Sequence, residues 1–365
     1  MTNPVSQAKQ DIAVLLDGAL ERAVESGALP AASELPDFVV EIPADTSHGD
    51  FASNIAMACA RPFKCAPRKI AEAICAALDL TGTVFERVEI AGPGFINFFL
   101  SPRWFADVVK SVLSAGADYG RTDYGRGEKV QVEFVSANPT GPMHMGNARG
   151  GALGDCLAAA LDWSGHNVTR EFYVNDAGNQ IEKFGCSLEA RYLQIFKGED
   201  AVAFPEDGYH GDDIRELARG FLAQAGEFPG QTSQDAWETA MAEYGLSVNI
   251  PRMKADLKKY GIEYDQWFLE SELHNSGYVE ETVQLLTDKG WTYEKDGALW
   301  LNTTQLLKEK FMREGKSQEQ VDKLDLKDDV LRRANGFYTY FAADIAYHRN
   351  KLAVRGFDKA INIWG

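Results

Sequence analysis

The stretch from Val130 to Val174 constrains this chain more than any other. Val130, Val132 and Phe134 alternate with Gln131, Glu133 and Val135, the period of two that marks a strand. A loop of turn formers follows, Ser136-Ala137-Asn138-Pro139-Thr140-Gly141-Pro142, and then an apolar-rich helix from about Asn147 to Trp163, closed by Gly165. Val168, Arg170, Phe172 and Val174 make a second alternating strand. Strand, helix and strand at this spacing form a βαβ unit, which belongs to a parallel sheet with right-handed crossovers. The second part of the chain is therefore expected to be α/β.

Ahead of that unit the pattern differs. Ile12, Leu15, Leu16, Ala19 and Ala23 recur at helical spacing, predicting an amphipathic helix that ends near Gly27. After a loop from Pro30 to Pro36, Phe38 to Ile42 reads as a strand, and Asn54 to Ala60 and Pro67 to Leu78 read as helices. Val84 to Ile90 and Phe95 to Leu100 read as strands around Ala91-Gly92-Pro93-Gly94. These elements predict an α+β domain over residues 1–115, with a glycine-rich, charged boundary from Gly116 to Lys129. Residues 116–365 then form the parallel-sheet domain, with a mostly helical, acidic insertion over about 185–263. Ala298 to Leu301 returns to strand character, a long helix is expected from Thr339 to Val354, and Ala360 to Trp364 reads as a buried parallel strand ending one residue before Gly365.

Composition narrows the function. A net charge of −17 excludes a broad basic surface gripping nucleic acid, since phosphate binding depends on Lys and Arg displacing counterions. A local basic patch remains compatible with it. Five cysteines, odd in number and with no Cys-x-x-Cys pair, indicate reduced thiols and neither a disulfide framework nor a zinc site. The apolar run Ile12 to Leu16 is too short and too charged at its flanks for a signal-peptide core, and no stretch reaches the length of a membrane span. A cytoplasmic protein is expected.

Chemistry concentrates at Pro142-Met143-His144-Met145-Gly146-Asn147, between the first strand and its helix. Open parallel sheets bind ligands beyond the carboxyl ends of their strands, where helix N-termini offer unpaired N–H groups to a phosphate. His144 and Asn147 would present side-chain N–H groups from one turn, and Gly146 would let a flat base approach the backbone. Alone, the tetrad is better read as a helix cap and tight turn. Its place between this loop and this helix turns the reading toward phosphate.

Here a resemblance becomes specific. Val132 to Arg149 resembles the first signature of the class I aminoacyl-tRNA synthetases in its arginyl form, and Tyr173-Val174-Asn175-Asp176-Ala177-Gly178-Asn179-Gln180-Ile181 is similar to that family too. Gly49-Asp50-Phe51-Ala52-Ser53-Asn54 and Gly92-Pro93-Gly94-Phe95-Ile96-Asn97 resemble the family's N-terminal additional domain, which binds the tRNA elbow. The likeness runs from residue 1 to 365, with one departure: the signature's second histidine is Asn147, which can donate to a phosphate but cannot become a cation.

The resemblance implies a Rossmann-type (HUP-like) catalytic domain and an arginine–tRNA ligase that uses ATP, with Mg2+ on its phosphates, to activate L-arginine and charge tRNA(Arg), without another cofactor or a bound metal. Catalysis would fall to His144 and Asn147, with Gly146 in the ATP site. Glu133, Tyr340 and Asp344 match the family's arginine side-chain pocket, Tyr340 and Asp344 lying four apart on one helix face, and planar carboxylates suit a guanidinium. Ser136 and Asn138 match the positions that hold the substrate's α-amino end. For Asn175, Asp176 and Gln180, ligand contact and turn formation stay equally open. Family members continue past this chain with a second Rossmann half, a Lys-Met-Ser-Lys loop and an anticodon-binding domain. No Lys-Met-Ser-Lys-like tetrapeptide occurs here, so the chain is expected to be an inactive or weakly binding portion, and a monomer. The competing reading is a non-catalytic tRNA-binding or scaffold protein derived from the synthetase.

Other motifs carry less. Gly315-Lys316-Ser317 lacks the earlier glycine of a phosphate-binding loop, His210-Gly211-Asp212-Asp213 reads as a solvated acidic turn, and His166 as a turn residue. Arg61, Lys64, Arg68 and Lys69 form a small basic cluster, either a solvated face or a contact for the tRNA backbone.

Overall fold

Helix α1 (Pro4–Glu25) begins where Asn3 Oδ1 accepts the Val5 N–H at 2.9 Å, with Pro4 preset for the first turn. It buries Ala8, Ile12, Leu16, Ala19, Leu20 and Ala23 along one stripe. A computed structural model describes residues 3–31, 35–227 and 233–364, so residues 32–34 of the expected Pro30 to Pro36 loop, and Gly365, lie outside the described residues. Two compact units divide the chain, Met1–Asp123 and Tyr124–Gly365.

In the first unit α1 is followed by β1 (Val40–Glu41), β2 (Phe51–Ser53), α2 (Ile55–Ala58), α3 (Ala60–Phe63), α4 (Pro67–Ala77), β3 (Phe85–Ala91), β4 (Phe95–Leu100) and α5 (Pro102–Ala115). The strands form an antiparallel sheet in the order β1-β2-β4-β3. Ile12, Leu16, Ile55, Ile70, Ile74, Ile96 and Phe98 meet in one core, each fully buried apolar side chain contributing about 1.5–3 kcal/mol. Two motif glycines are explained by packing. A Cβ on Gly49, at φ 89°, would sit 2.8 Å from the Phe98 carbonyl oxygen, and one on Gly94 would sit 2.9 Å from the Pro67 carbonyl carbon. Asp50 Oδ2 accepts the Leu100 N–H at 2.7 Å. The strand expected over Phe38 to Ile42 is formed only at Val40–Glu41, and the helix expected over Asn54 to Ala60 breaks into α2 and α3.

The second unit runs β5 (Lys129–Phe134), α6 (Met145–Trp163), β6 (Asn167–Val174), α7 (Asn179–Lys197), α8 (Asp212–Ala225), α9 (Gln234–Lys259), β7 (Gln266–Leu269), α10 (Glu270–Asn275), α11 (Tyr278–Asp288), β8 (Thr292–Lys295), β9 (Ala298–Leu301), α12 (Thr303–Arg313), α13 (Gln318–Asp322), β10 (Asp329–Arg332), α14 (Tyr340–Arg349) and β11 (Lys359–Ile363). Strands β11-β5-β6-β7 make a parallel sheet in that order, and β10-β9-β8 a separate antiparallel one. Ala298–Leu301 forms the expected strand, in the centre of the antiparallel sheet, and Gln266–Leu269 adds a strand of the parallel sheet that was not expected. One expectation is corrected. Strand β11 is parallel and lies at the sheet edge, paired among the described residues with β5, which leaves it half-buried where a buried strand was expected.

Helix α6 lies tight on β5. A Cβ on Gly154 would come 2.2 Å from Cγ of the fully buried Phe134 ring, and one on Gly151 2.8 Å from Ile262 Cδ1. This close approach sets the N-terminus of α6 beside the carboxyl end of β5. Among the described residues no helix is long and apolar enough to cross a membrane.

Candidate functional site

Where β5 ends, the backbone leaves the sheet through two non-glycine residues with positive φ, Val135 at 68° and Ser136 at 41°. The Ser136 N–H closes a tight turn onto the Phe134 carbonyl at 3.0 Å. Such conformations cost on the order of 1–3 kcal/mol each and gather at functional sites. Here the turn opens onto a cavity of about 780 Å³ lined by Ser136, Asn138, Gly141, His144, Gly146, Asn147 and Arg149, with Ile363 at the end of β11. The cavity lies at the carboxyl ends of parallel strands, facing a helix N-terminus.

His144 is itself the N-cap of α6 and shares a capping box with Asn147. The Gly146 N–H donates to His144 Nδ1 at 3.1 Å, and the His144 N–H donates to Asn147 Oδ1 at 2.9 Å. The cap uses acceptors only. It leaves the proton on His144 Nε2 and the Asn147 amide group as donors, so capping and anion binding are compatible. The space beside Gly146 is filled from within, since a Cβ there would stand 2.9 Å from the His144 ring. That differs from the open approach for a base expected of this glycine.

The helical segment between β6 and β7 supplies the far wall. Tyr209, His210, Gly211 and Asp213 line the same cavity, so the expected solvated turn faces the signature loop. Asn249, buried on α9, donates its amide to the Pro139 carbonyl at 2.9 Å and ties the loop to that segment. His166 is held by Ser164 Oγ at 2.9 Å, and Ser317 caps α13.

A second cavity, of about 880 Å³, opens at the carboxyl ends of β6 and β7, lined by Asn175, Gln180, Glu270, His274, Tyr338 and Tyr340 among others. Tyr340 is 81% exposed there. Glu270 is a buried carboxylate with no Lys or Arg at ion-pair distance among the described residues, although Arg333 also lines the cavity. Its neighbours are His274 Nε2 at 3.4 Å, the Tyr173 phenol and, with the amide turned to satisfy its surroundings, Asn175 at 2.7 Å. Burial first, then the charges of Glu270, Asp344 and Glu133, hold the Tyr173 hydroxyl far above its ordinary pKa. Asp344, half-exposed on α14, pairs with His348, one turn along, at 3.4 Å. Asp176 caps the start of α10 by accepting from Ser271 N at 2.9 Å and Oγ at 2.7 Å, and Gln180 Nε2 bonds the Asn175 carbonyl at 3.0 Å. Nothing in the sequence marks Glu270 apart from the helix charges around it.

Glu133, on β5 one residue before its end, is already engaged. Its Oε2 accepts from Lys351 Nζ at 2.5 Å and its Oε1 from Ser136 Oγ at 3.1 Å. Arg61, Lys64, Arg68 and Lys69 are all exposed in the first unit, where Arg68 pairs with Glu72 at 3.6 Å.

Residues 10–100 match the family described as arginyl tRNA synthetase N terminal domain, and residues 108–215 match the tRNA synthetases class I (R), catalytic domain. Arginine–tRNA ligases of Acetivibrio thermocellus and Caldanaerobacter subterraneus are 49% and 53% identical over all 365 residues, which span 62% and 61% of those proteins. An arginyl-tRNA synthetase crystal structure from Campylobacter jejuni superposes with a TM-score of 0.59 at 30% identity, over 73% of this chain and 54% of that one. The structure of the Plasmodium falciparum arginyl-tRNA synthetase, at 17% identity and a TM-score of 0.50 over 97% of this chain, shares the fold. The chain spans about three fifths of the length of the curated relatives it matches, and it belongs to the arginyl-tRNA synthetase family.

Proposed function

We propose that this chain carries the ATP- and arginine-binding face of an arginine–tRNA ligase, with ATP in the first cavity and the arginine side chain reaching into the second. The observation that carries the reading is the contrast between the two: donors on the β5–α6 turn at one, and at the other the buried carboxylate Glu270, with Asp344 one turn along α14 from the lining Tyr340 and neither ion-paired to a Lys or Arg among the described residues. A guanidinium matches carboxylates with bidentate geometry, and a triphosphate matches N–H donors at a helix start.

In the first step an arginine carboxylate oxygen bonds to the α-phosphorus of ATP, and the bond from that phosphorus to the bridging oxygen breaks to release pyrophosphate. His144 Nε2–H and the Asn147 amide stabilise the charge that develops on the phosphate oxygens, Gly146 keeps the turn tight, and Ser136 and Asn138 hold the α-amino end. Tyr340 closes over the guanidinium from α14. In the second step a terminal ribose hydroxyl of tRNA(Arg) attacks the arginyl carbonyl and AMP leaves. Mg2+ would travel with the nucleotide phosphates; the described residues bring no three His, Cys, Asp or Glu side chains together to hold it. The reading carries with it a cytoplasmic monomer as the working form, and Arg61, Lys64, Arg68 and Lys69 as contacts to the tRNA. A scaffold protein without chemistry would have no use for a buried carboxylate such as Glu270 in an open pocket.

The test is arginine-dependent exchange between ATP and pyrophosphate with tRNA present, run on this chain and on a polypeptide of the relatives' full length. Exchange by the long form with arginine and not with lysine is expected, and only weak ligand binding by this chain. Equal exchange with lysine would sink the reading, because lysine has the charge without the planar fork.

A further inference from the structure

Across the parallel sheet Asn362, Glu133, Glu171 and Gln266 stand side by side in register, one from each strand, so four polar side chains share one face. The segment after α14 answers them. It continues from Asn350 to Val354 as a π-helix, closed by the Arg355 N–H onto the Asn350 carbonyl at 2.9 Å. Lys351 Nζ donates to Glu133 Oε2 at 2.5 Å and to Asn362 Oδ1 at 3.1 Å. Four residues on, Arg355 grips both oxygens of Glu171 and donates to Gln266 Oε1 at 3.1 Å, while the Tyr347 hydroxyl also donates to Glu171. Each carboxylate of the row therefore has its own internal cation.

This leaves Glu133 poorly placed to bind a guanidinium. Lys351 is 0% exposed and Glu133 5%, so a substrate taking over Oε2 would strand a buried ammonium, a severe cost. The other oxygen accepts from Ser136 Oγ, which in turn accepts the Tyr173 N–H at 3.1 Å. Those two bonds fix a residue whose φ of 41° an L-side chain rarely adopts, at the point where the backbone turns into the first cavity. The geometry points to Glu133 as a positioning residue, held by Lys351 and acting through Ser136 on the substrate's α-amino end, while Glu270 and Asp344 receive the guanidinium. This rests on reading the second cavity as the arginine pocket.

Two ligands separate the roles: L-arginine and 5-guanidinopentanoate, which keeps the guanidinium and lacks the α-amino group. Both are titrated by calorimetry into the wild-type protein and into Glu133→Gln, Lys351→Met, Lys351→Arg and the Glu133→Gln/Lys351→Met double variant. Glu133→Gln is expected to weaken arginine about tenfold, the loss of one charge-assisted hydrogen bond, and to shift 5-guanidinopentanoate by less than about twofold. Lys351→Met should show the same selectivity, the double variant should be no worse than either single one, and Lys351→Arg should recover most of the affinity. Should Glu133→Gln not fold, Ser136→Ala gives the same comparison and should lose arginine selectively. Equal losses for both ligands, or arginine binding unmoved by Lys351→Met, overturn the proposal. Wild-type protein that binds neither ligand overturns the arginine-pocket reading itself, and the inference falls with it.

Discussion

Glu270, buried in the second cavity beside His274, the Tyr173 phenol and the Asn175 amide, and Asp344, beside His348 on α14, are the carboxylates on which the arginine reading rests. Replacing Glu270 by Gln or Asp344 by Asn keeps shape and removes one ionised acceptor, a loss of about 1.5–3 kcal/mol for a hydrogen bond to a charged group. Arginine affinity should fall roughly ten- to a hundredfold in either variant, by the same magnitude of interaction, with ATP affinity unmoved. Equal loss of both ligands would place these residues in the scaffold instead. The cysteines give a second expectation, in pH. Burial pushes the Cys75 thiol up to about 11, and burial followed by the nearby Glu238 does the same for Cys186, while Cys156 is exposed on α6. Because the thiolate is the reactive form, raising its pKa lowers the reactive fraction at any pH below that value. Brief iodoacetamide treatment at pH 8, read by peptide mass spectrometry, should label Cys156 well before Cys75 and Cys186, and those two should gain reactivity only as pH climbs toward 11. Labelling of Cys75 as fast as Cys156 at pH 8 would count against this account of its burial.

At the level of elements, the helix α6 shows how much of the fold depends on a missing atom. Gly154→Ala forces a Cβ into the buried Phe134 ring, and overpacking of this kind costs about 1–3 kcal/mol. Gly150, on the same helix, has nothing within 4 Å of its would-be Cβ, so Gly150→Ala should be neutral or gain up to about 1 kcal/mol from helix propensity. The melt of Gly154→Ala should fall while that of Gly150→Ala holds or rises; a comparable fall in both would refute the packing argument. The same helix explains what could be read from sequence. The alternation along β5 and β6 and the run between them are local signals, and they placed the first cavity through His144 and Asn147. Strand β7 escaped because Gln266–Leu269 spans only four residues and leads directly into the next helix. The half-burial of β11 follows from sheet order, which no local apolar run reports. Glu270 and the Lys351 to Glu133 pair escaped for a related reason: burial of a charge is decided by residues distant in the chain, and Lys351 lies 218 positions from its partner.

For the molecule as a whole the governing quantity is charge. At −17 the chain repels polyanions on average, so any tRNA contact must draw on local excess. In residues 1–123 sixteen Asp and Glu outnumber ten Lys and Arg, yet four of those ten fall in Arg61 to Lys69, a stretch with no acidic residue. All four side chains are exposed, at the ends of α3 and the start of α4. Of these, Arg68 shares its charge with Glu72, and of the remaining Arg61, Lys64 and Lys69 the first two sit together at the end of α3 and make the test pair. Each phosphate contact removed lowers the slope of log affinity against log salt by about 1, so Arg61→Glu/Lys64→Glu should reduce that slope by roughly 2 and weaken tRNA binding at moderate salt. Arginine and ATP binding in the second unit should stay unchanged in the same protein, which separates loss of the RNA contact from loss of the fold. A filter-binding titration across 50–200 mM salt, the range over which such contacts are most visible, reads the slope directly. An unchanged slope would mean that the cluster is a solvated face and that the tRNA is held elsewhere.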